Sequence, residues 1–199
     1  MSIKVSFASK SITKKDLLIV ILDESLELGK IIASLDKEYN GIISNAINSK
    51  TLNTKKGSSL SLFANKGKTI QEILIYFVGS IKNYNIEKAD RIGGSIFSSI
   101  PKTISSLTVY YAFNRNKKII NEEFAARIIH GMKLRSYTFY KYKLKSKNKH
   151  HHSLKEIEII TKEPSLAKKY YSPLKFLEEG VYLTRDLVSE PANVFTPIA

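Results

Sequence analysis

Histidine is the residue type that most readily serves as a metal ligand or a general base, and the chain has four histidines. Three are adjacent, in His150-His-His152. On an extended segment adjacent side chains point to alternate sides, so these three cannot all converge on one ion. The fourth, His130, lies in a helical pattern and has no His or carboxylate four residues later, so no HExxH-like zinc motif forms. We therefore expect no metal-ligand residues in this chain.

Other catalytic arrangements also lack their residues. No Ser-His-Asp set can be assembled and no G-x-S-x-G nucleophile elbow is present. Gly79 follows a predicted strand and Gly93-Gly94 lies within a predicted helix, but neither matches a phosphate-binding glycine loop, and close helix packing explains the pair. The absence of cysteine excludes disulfides, thiolate zinc sites, iron–sulfur clusters and a cysteine nucleophile. We expect no catalytic residues and no cofactor in this chain.

The most strongly charged segment interleaves lysine with aromatic residues. The formal net charge is +14, and residues 113–155 hold 12 basic and 2 acidic side chains. Such a pattern could stack bases and follow a phosphate backbone. The candidate contacts are Lys141, Lys143, Lys145, Lys147 and Lys149. A half-buried strand or turn leading into a solvated loop explains the pattern better, and lysine greatly outnumbers arginine, the better phosphate ligand. Nucleic-acid binding through residues 113–155 is therefore kept as the alternative function.

The hydrophobic pattern predicts an α/β fold. Strands are predicted where apolar residues alternate or run together, at 3–7, 16–22, 60–64, 73–78, 107–113 and 154–160. Apolar residues at helical spacing predict helices after Asp23 and Ser25, which could act as caps, and at 86–100 and 121–132. Because strands and helices alternate, we expect a layered sandwich around a mixed, largely parallel sheet.

The remaining residues predict a helix that leads away from this unit. Pro164 is predicted to close the α/β domain, and Ser172-Pro173 to open a helix that ends before Pro191. The domains are accordingly 1–163 and 164–199, and an apolar stripe on the last helix suggests a longer protein. The longest apolar run, 17–22, is too short for a membrane span or signal peptide, so we expect a cytoplasmic protein without membrane contact.

Two segments resemble motifs of the leucyl aminopeptidases (cytosol aminopeptidases, the M17 metallopeptidase family). Residues 183–197 closely resemble R-D/N-L-x-N-x-P-x-N-x-x-T-P, the segment that joins the amino-terminal and catalytic domains. The matching residues are Arg185, Asp186, Leu187, Pro191, Asn193, Thr196 and Pro197, with Ser189 in place of the usual Asn. Residues 130–143 are similar to E-G-x-x-L-x-x-Y-x-F-x-x-Y-K. The matching residues are Gly131, Leu134, Tyr137, Phe139, Tyr142 and Lys143, with His130 in place of Glu.

The resemblance implies a three-layer, macro-domain-like amino-terminal domain followed by the interdomain helix, without the catalytic domain. In the family, two divalent metal ions, manganese or zinc, are held near a motif that resembles N-T-D-A-E-G-R, which this chain does not contain. The parent enzyme would remove N-terminal amino acids from peptides by two-metal hydrolysis. For this chain the resemblance implies a structural and regulatory role, with its own catalytic domain and the other subunits of a hexamer as partners. ADP-ribose binding is a further alternative, based on fold analogy alone.

Overall fold

A single six-stranded sheet forms the centre of the structure, a computed structural model that describes residues 3–11, 13–49, 52–66, 69–80, 86–111, 121–142 and 152–194. The strands are β1 (Lys4–Ala8), β2 (Leu17–Leu22), β3 (Ser59–Lys66), β4 (Thr69–Phe77), β5 (Ser106–Tyr111) and β6 (Glu156–Ile160). Their order is β1-β6-β5-β2-β4-β3. Every neighbouring pair is parallel except β3 and β4, which form an antiparallel hairpin. The predicted mixed, largely parallel sheet is confirmed.

Within the described residues, five helices cover the two faces of this sheet. They are α1 (Lys30–Glu38), α2 (Ile42–Asn48), α3 (Ile86–Ser99), α4 (Asn121–Ser136) and α5 (Pro164–Ser189). A hydrophobic core lies on each face of the sheet. All six residues of β2 are buried, because successive side chains point alternately into one core and the other. Leu18, Val20 and Leu22 face α1 and α2, while Leu17, Ile19 and Ile21 face α3, α4 and α5. The fold is therefore a three-layer α/β sandwich.

The predicted cap of the first helix was wrong. Asp23 and Ser25 close a local turn instead, because the backbone N–H of Ser25 donates to Asp23 Oδ1 at 2.9 Å. Leu26 then takes a left-handed backbone conformation with φ +53°, which a right-handed helix cannot include. Helix α1 consequently begins later, after Gly29.

The predicted start of the last helix was also wrong. Pro164 opens α5 rather than closing the preceding unit, since a proline in the first helical turn gives up an N–H that has no partner there. Pro173 lies inside the helix, which continues past it to Ser189. Helix α5 packs against α4 and β1. Residues 137–142, for which a strand or a turn was expected, end in a turn and contain no strand.

Candidate functional site

The two motif-like segments meet at one end of the molecule, where the chain leaving α4 lies along the last turns of α5. We call residues 134–142 together with residues 182–190 the junction. Arg185 Nη1 donates to the carbonyl oxygen of Leu134 at 2.6 Å, and its guanidinium lies 5.4 Å from the centre of the Tyr137 ring. The Tyr137 hydroxyl in turn donates to Asp186 Oδ1 at 2.8 Å. The structure thus brings together four residues that the sequence singled out separately.

The far end of the junction is an ion pair at the surface. Lys141 Nζ donates to Glu190 Oε1 at 2.6 Å, and the Tyr142 hydroxyl donates to the other carboxylate oxygen. These hydrogen bonds lower the pKa of Glu190, and the bond to Glu190 raises the pKa of Lys141. Sequence reasoning missed Glu190, and it assigned Lys141 to nucleic acid although the structure pairs this lysine within the chain.

We expect Glu190→Gln to loosen the end of α5 without affecting global stability. The carboxylate receives two donors across the junction, but exposed ion pairs contribute little to the free energy of unfolding. Amide hydrogen exchange at residues 187–190 should become faster while the midpoint of thermal unfolding stays unchanged. Glu179→Gln, at an exposed position of the same helix, is the control, and unchanged exchange in Glu190→Gln would contradict the role of the pair.

The other residues of the two family-like motifs that the structure describes take no part in the hydrogen bonds of the junction given above. Gly131 lies where α4 crosses α3, and the ring of Phe139 packs 5.9 Å from that of Tyr142. Pro191 follows α5, where its carbonyl oxygen accepts from Val194 N at 2.9 Å, and Asn193 is exposed. Outside the described residues lie Lys143, Lys145, Lys147, Lys149, Thr196 and Pro197. The proposed nucleic-acid contacts beyond Lys141 therefore stay a prediction.

A buried polar cluster joins α4 to α5 next to the junction. The Tyr171 hydroxyl lies 3.0 Å and 3.1 Å from the two carboxylate oxygens of Glu178, a side chain that is only 2% exposed. Burial raises the pKa of Glu178 and lowers that of Lys133. The positive charge of Lys133 partly opposes the effect of burial on Glu178, because it favours the ionised carboxylate. Lys133 Nζ also donates to the carbonyl oxygen of Ile3 at 3.4 Å, and the Tyr182 hydroxyl donates to the carbonyl oxygen of Lys133. We call Lys133, Tyr171, Glu178 and Tyr182 the buried cluster.

His130 links helix α4 to helix α3. Its Nδ1 lies 2.9 Å from Asp90 Oδ1, and Arg127 Nη1 lies 3.3 Å from Asp90 Oδ2, so α4 is tied to α3 through one carboxylate. The ring of His152 packs 4.5 Å from that of Phe97. Across the parts of the chain that the structure describes, no three His, Asp or Glu side chains are arranged to hold a metal ion.

An apolar surface runs along the outward face of α5. Phe176, Leu177, Leu183, Leu187 and Val188 are 69%, 52%, 61%, 40% and 83% exposed, and we call them the α5 stripe. Large exposed apolar patches are often interaction sites, because a partner that covers them removes apolar surface from water. None of the described helices is both long enough and apolar enough to cross a membrane. The stripe is therefore the strongest indication of a partner surface in this site.

Comparison with known proteins gives consistent matches. The model of the cytosol aminopeptidase family, N-terminal domain, matches residues 19–146. A probable cytosol aminopeptidase of Rickettsia felis is 28% identical over 198 residues, covering 98% of this chain and 39% of that protein. The corresponding protein of Rickettsia canadensis is 27% identical over 197 residues, again covering 98% and 39%. This chain thus spans about two fifths of the curated relatives that it matches.

Solved structures match the fold. A mutant of tomato leucine aminopeptidase superimposes with a TM-score of 0.75 at 20% identity, covering 99% of this chain and 40% of that one. The bottromycin maturation enzyme BotP in complex with Mn gives a TM-score of 0.66 at 16% identity, covering 94% of this chain and 34% of that one. Both likenesses concern the arrangement of helices and strands.

Proposed function

The chain belongs to the cytosol aminopeptidase family, whose amino-terminal domain it matches, and from this premise we propose that it is the non-catalytic domain of a leucyl aminopeptidase. The complete enzyme would act in the cytoplasm and remove N-terminal amino acids from peptides by two-metal hydrolysis, with manganese or zinc. The described residues do not provide a fitting set of metal ligands, so we assign no step of the hydrolysis to this chain. Its role is structural and regulatory, as a docking and oligomer-forming domain.

The α5 stripe carries this proposal. Its five apolar side chains lie on the last described helix, and because the matched family domain is the N-terminal one, the unmatched part of the relatives would follow this helix. Burying such side chains contributes about 25 cal/mol for each square ångström of apolar surface removed from water. Docking of the catalytic domain on the stripe would bury them, and the junction and the buried cluster would hold α5 at a fixed angle to the sheet. The amino-terminal domain would then position the catalytic domain and its neighbours in the assembly.

A chimaeric enzyme tests the proposal. This chain would replace the matching segment of the Rickettsia felis protein, and release of leucine from a peptide would be measured with manganese or zinc. We expect the chimaera to hydrolyse the peptide, and the isolated chain to show no turnover. Changing Leu183 and Val188 together to lysine should abolish most of the chimaera's activity, because two charges cannot enter an apolar interface without their water.

The control is Ile70→Lys, which places the same charge on an exposed apolar position of β4, away from α5. Activity that survives the double change on α5 would remove the docking role of the stripe. Turnover that copurifies with the isolated chain and scales with its concentration would overturn the non-catalytic assignment.

A further inference from the structure

The two edges of the sheet are protected very differently. The β1 edge is only five residues long, α5 packs beside it, and Lys133 Nζ donates to the carbonyl oxygen of Ile3 at 3.4 Å. The β3 edge is eight residues long. Proteins normally protect such an edge with lysine, proline, a bulge or a covering helix, since its free N–H and C=O groups would pair with another strand.

Strand β3 carries no such protection between Ser59 and Asn65, where the sequence Ser-Leu-Ser-Leu-Phe-Ala-Asn has no charged residue and no proline. The chain as a whole has a net charge of +14, so two copies repel each other overall, and an uncharged strand is a place where they can approach with less repulsion. Phe63 is 64% exposed on this strand. Ile70 is 68% exposed on β4 and shares its face, because Phe63 pairs with Glu72 and Asn65 pairs with Ile70.

The hydrogen-bond pattern shows which backbone groups of β3 are available. Phe77 N donates to the carbonyl oxygen of Ser58 at 2.9 Å, and in an antiparallel pair every second residue bonds to the same neighbour. Leu60, Leu62 and Ala64 therefore bond to β4, and their side chains pack towards α1 and α2. The residues between them direct their backbone N–H and C=O groups away from the sheet. These residues are Ser59, Ser61, Phe63 and Asn65.

We propose that β3 is a self-association edge, on which β3 of a second copy of this chain pairs antiparallel about a two-fold axis at Leu62. In this register Ser61 lies opposite the partner's Phe63, and Ser59 lies opposite the partner's Asn65. All four positions present outward backbone groups, so each opposing pair exchanges two hydrogen bonds. No two charged side chains from β3 face each other, and the two Phe63 rings are diagonal neighbours that cover one another.

The proposed pairing is independent of the docking of a catalytic domain, which involves α5 and not β3, and it gives the proposed oligomer-forming role a specific surface. It joins two sheets into one continuous sheet, as in β-strand addition between partners. The contact is isologous, so it closes at two copies and does not propagate into fibres.

Sedimentation of the intact chain over a range of concentrations tests the proposal. We expect a monomer–dimer equilibrium that Phe63→Lys weakens about tenfold or more, because it places two like charges diagonally across the pairing. Ile70→Lys introduces the same charge at an equally exposed position one strand further in, and is expected to leave a dimer of near wild-type affinity. In the dimer, the amides of residues 59, 61, 63 and 65 should gain protection from hydrogen exchange that Phe63→Lys removes.

The absence of cysteine allows the register to be tested directly. Leu62→Cys should give a disulfide-linked dimer under mild oxidation, since residues opposite each other on the two-fold axis lie within disulfide range. Ser59→Cys should not, because Asn65 of the partner subunit faces that position. A chain that stays monomeric throughout the concentration range would overturn the proposal. So would a dimer that resists Phe63→Lys and is abolished by Val188→Lys, which would place the contact on the α5 stripe.

Discussion

Replacing Gly131 with alanine is expected to destabilise the fold by more than about 4 kcal/mol, a large fraction of the total stability of a typical domain. A Cβ at this position would lie 1.9 Å from the carbonyl oxygen of Asp90 and 2.7 Å from its carbonyl carbon. Both are backbone atoms of α3, so no side-chain rotation relieves the overlap. Gly93 is in the reciprocal position, with its would-be Cβ 2.0 Å from the carbonyl oxygen of Ile128. The helices α3 and α4 could accept a methyl group only by moving apart and opening the core between them.

Two glycines at ordinary positions provide matched controls for urea unfolding followed by circular dichroism. A Cβ at Gly94, next to Gly93, would make its nearest contact at 3.7 Å, and one at Gly180 in α5 would meet nothing within 4 Å. Alanine at Gly180 should stabilise the chain by about 0.5 to 1 kcal/mol, since glycine is a poor helix former. If Gly131→Ala unfolds at the same urea concentration as Gly94→Ala, the close crossing of α3 and α4 is incorrect.

The sequence indicates this crossing because glycine has few reasons to occur inside a helix. Gly93-Gly94 lies within an apolar helical pattern, for which close helix packing was the structural interpretation, and the contact of Gly93 agrees with it. A local pattern also indicates that the strands are largely parallel. The fully apolar run of β2 is typical of a strand covered on both faces, as the strands of parallel sheets are. Both signals lie within a single element, so they can be interpreted without knowledge of the tertiary contacts.

Other features depend on contacts that no local pattern encodes. The sequence predicts a helix start at Ser172-Pro173, but Pro173 lies inside α5, whose packing against α4 and β1 stabilises the longer helix. Glu178 has an ionisable side chain and would be expected at the surface, yet it is buried against the Tyr171 hydroxyl and near Lys133, which the packing of α4 brings to α5. The junction also depends on contacts between distant parts of the chain. Its residues match family motifs one by one, but only the fold shows that Arg185 and Asp186 bond to the chain leaving α4.

Removal of the Glu178 carboxylate is expected to produce the second largest loss of stability, about 2 to 4 kcal/mol for Glu178→Ala. The carboxylate accepts a hydrogen bond from the buried Tyr171 hydroxyl. Its negative charge also favours the protonated, positively charged form of the buried Lys133. Without it, both groups stay buried while their partner is missing. Glu178→Gln retains an acceptor for Tyr171 and should lose less.

The neighbouring residue supplies the control for urea unfolding. Glu179 is also a glutamate of α5 but is exposed, so Glu179→Ala should change the free energy of unfolding by less than about 0.5 kcal/mol. Equal losses in Glu178→Ala and Glu179→Ala would show that the buried cluster contributes nothing specific to the packing of α5.

The pH dependence separates the charge of Glu178 from its packing. Burial raises the pKa of this carboxyl above its ordinary value of 4.5, so above pH 4.5 the unfolded chain loses the proton before the folded chain does. The contribution of Glu178 to stability is therefore complete below pH 4.5 and declines as the pH rises through the folded-state pKa. Glu178→Gln cannot titrate, so the stability of the wild type relative to this variant should be greatest at low pH and fall with increasing pH. Parallel pH profiles of unfolding would mean that the carboxyl titrates alike in the folded and unfolded chains. The pairing of Glu178 with Lys133 would then have to offset its desolvation in full.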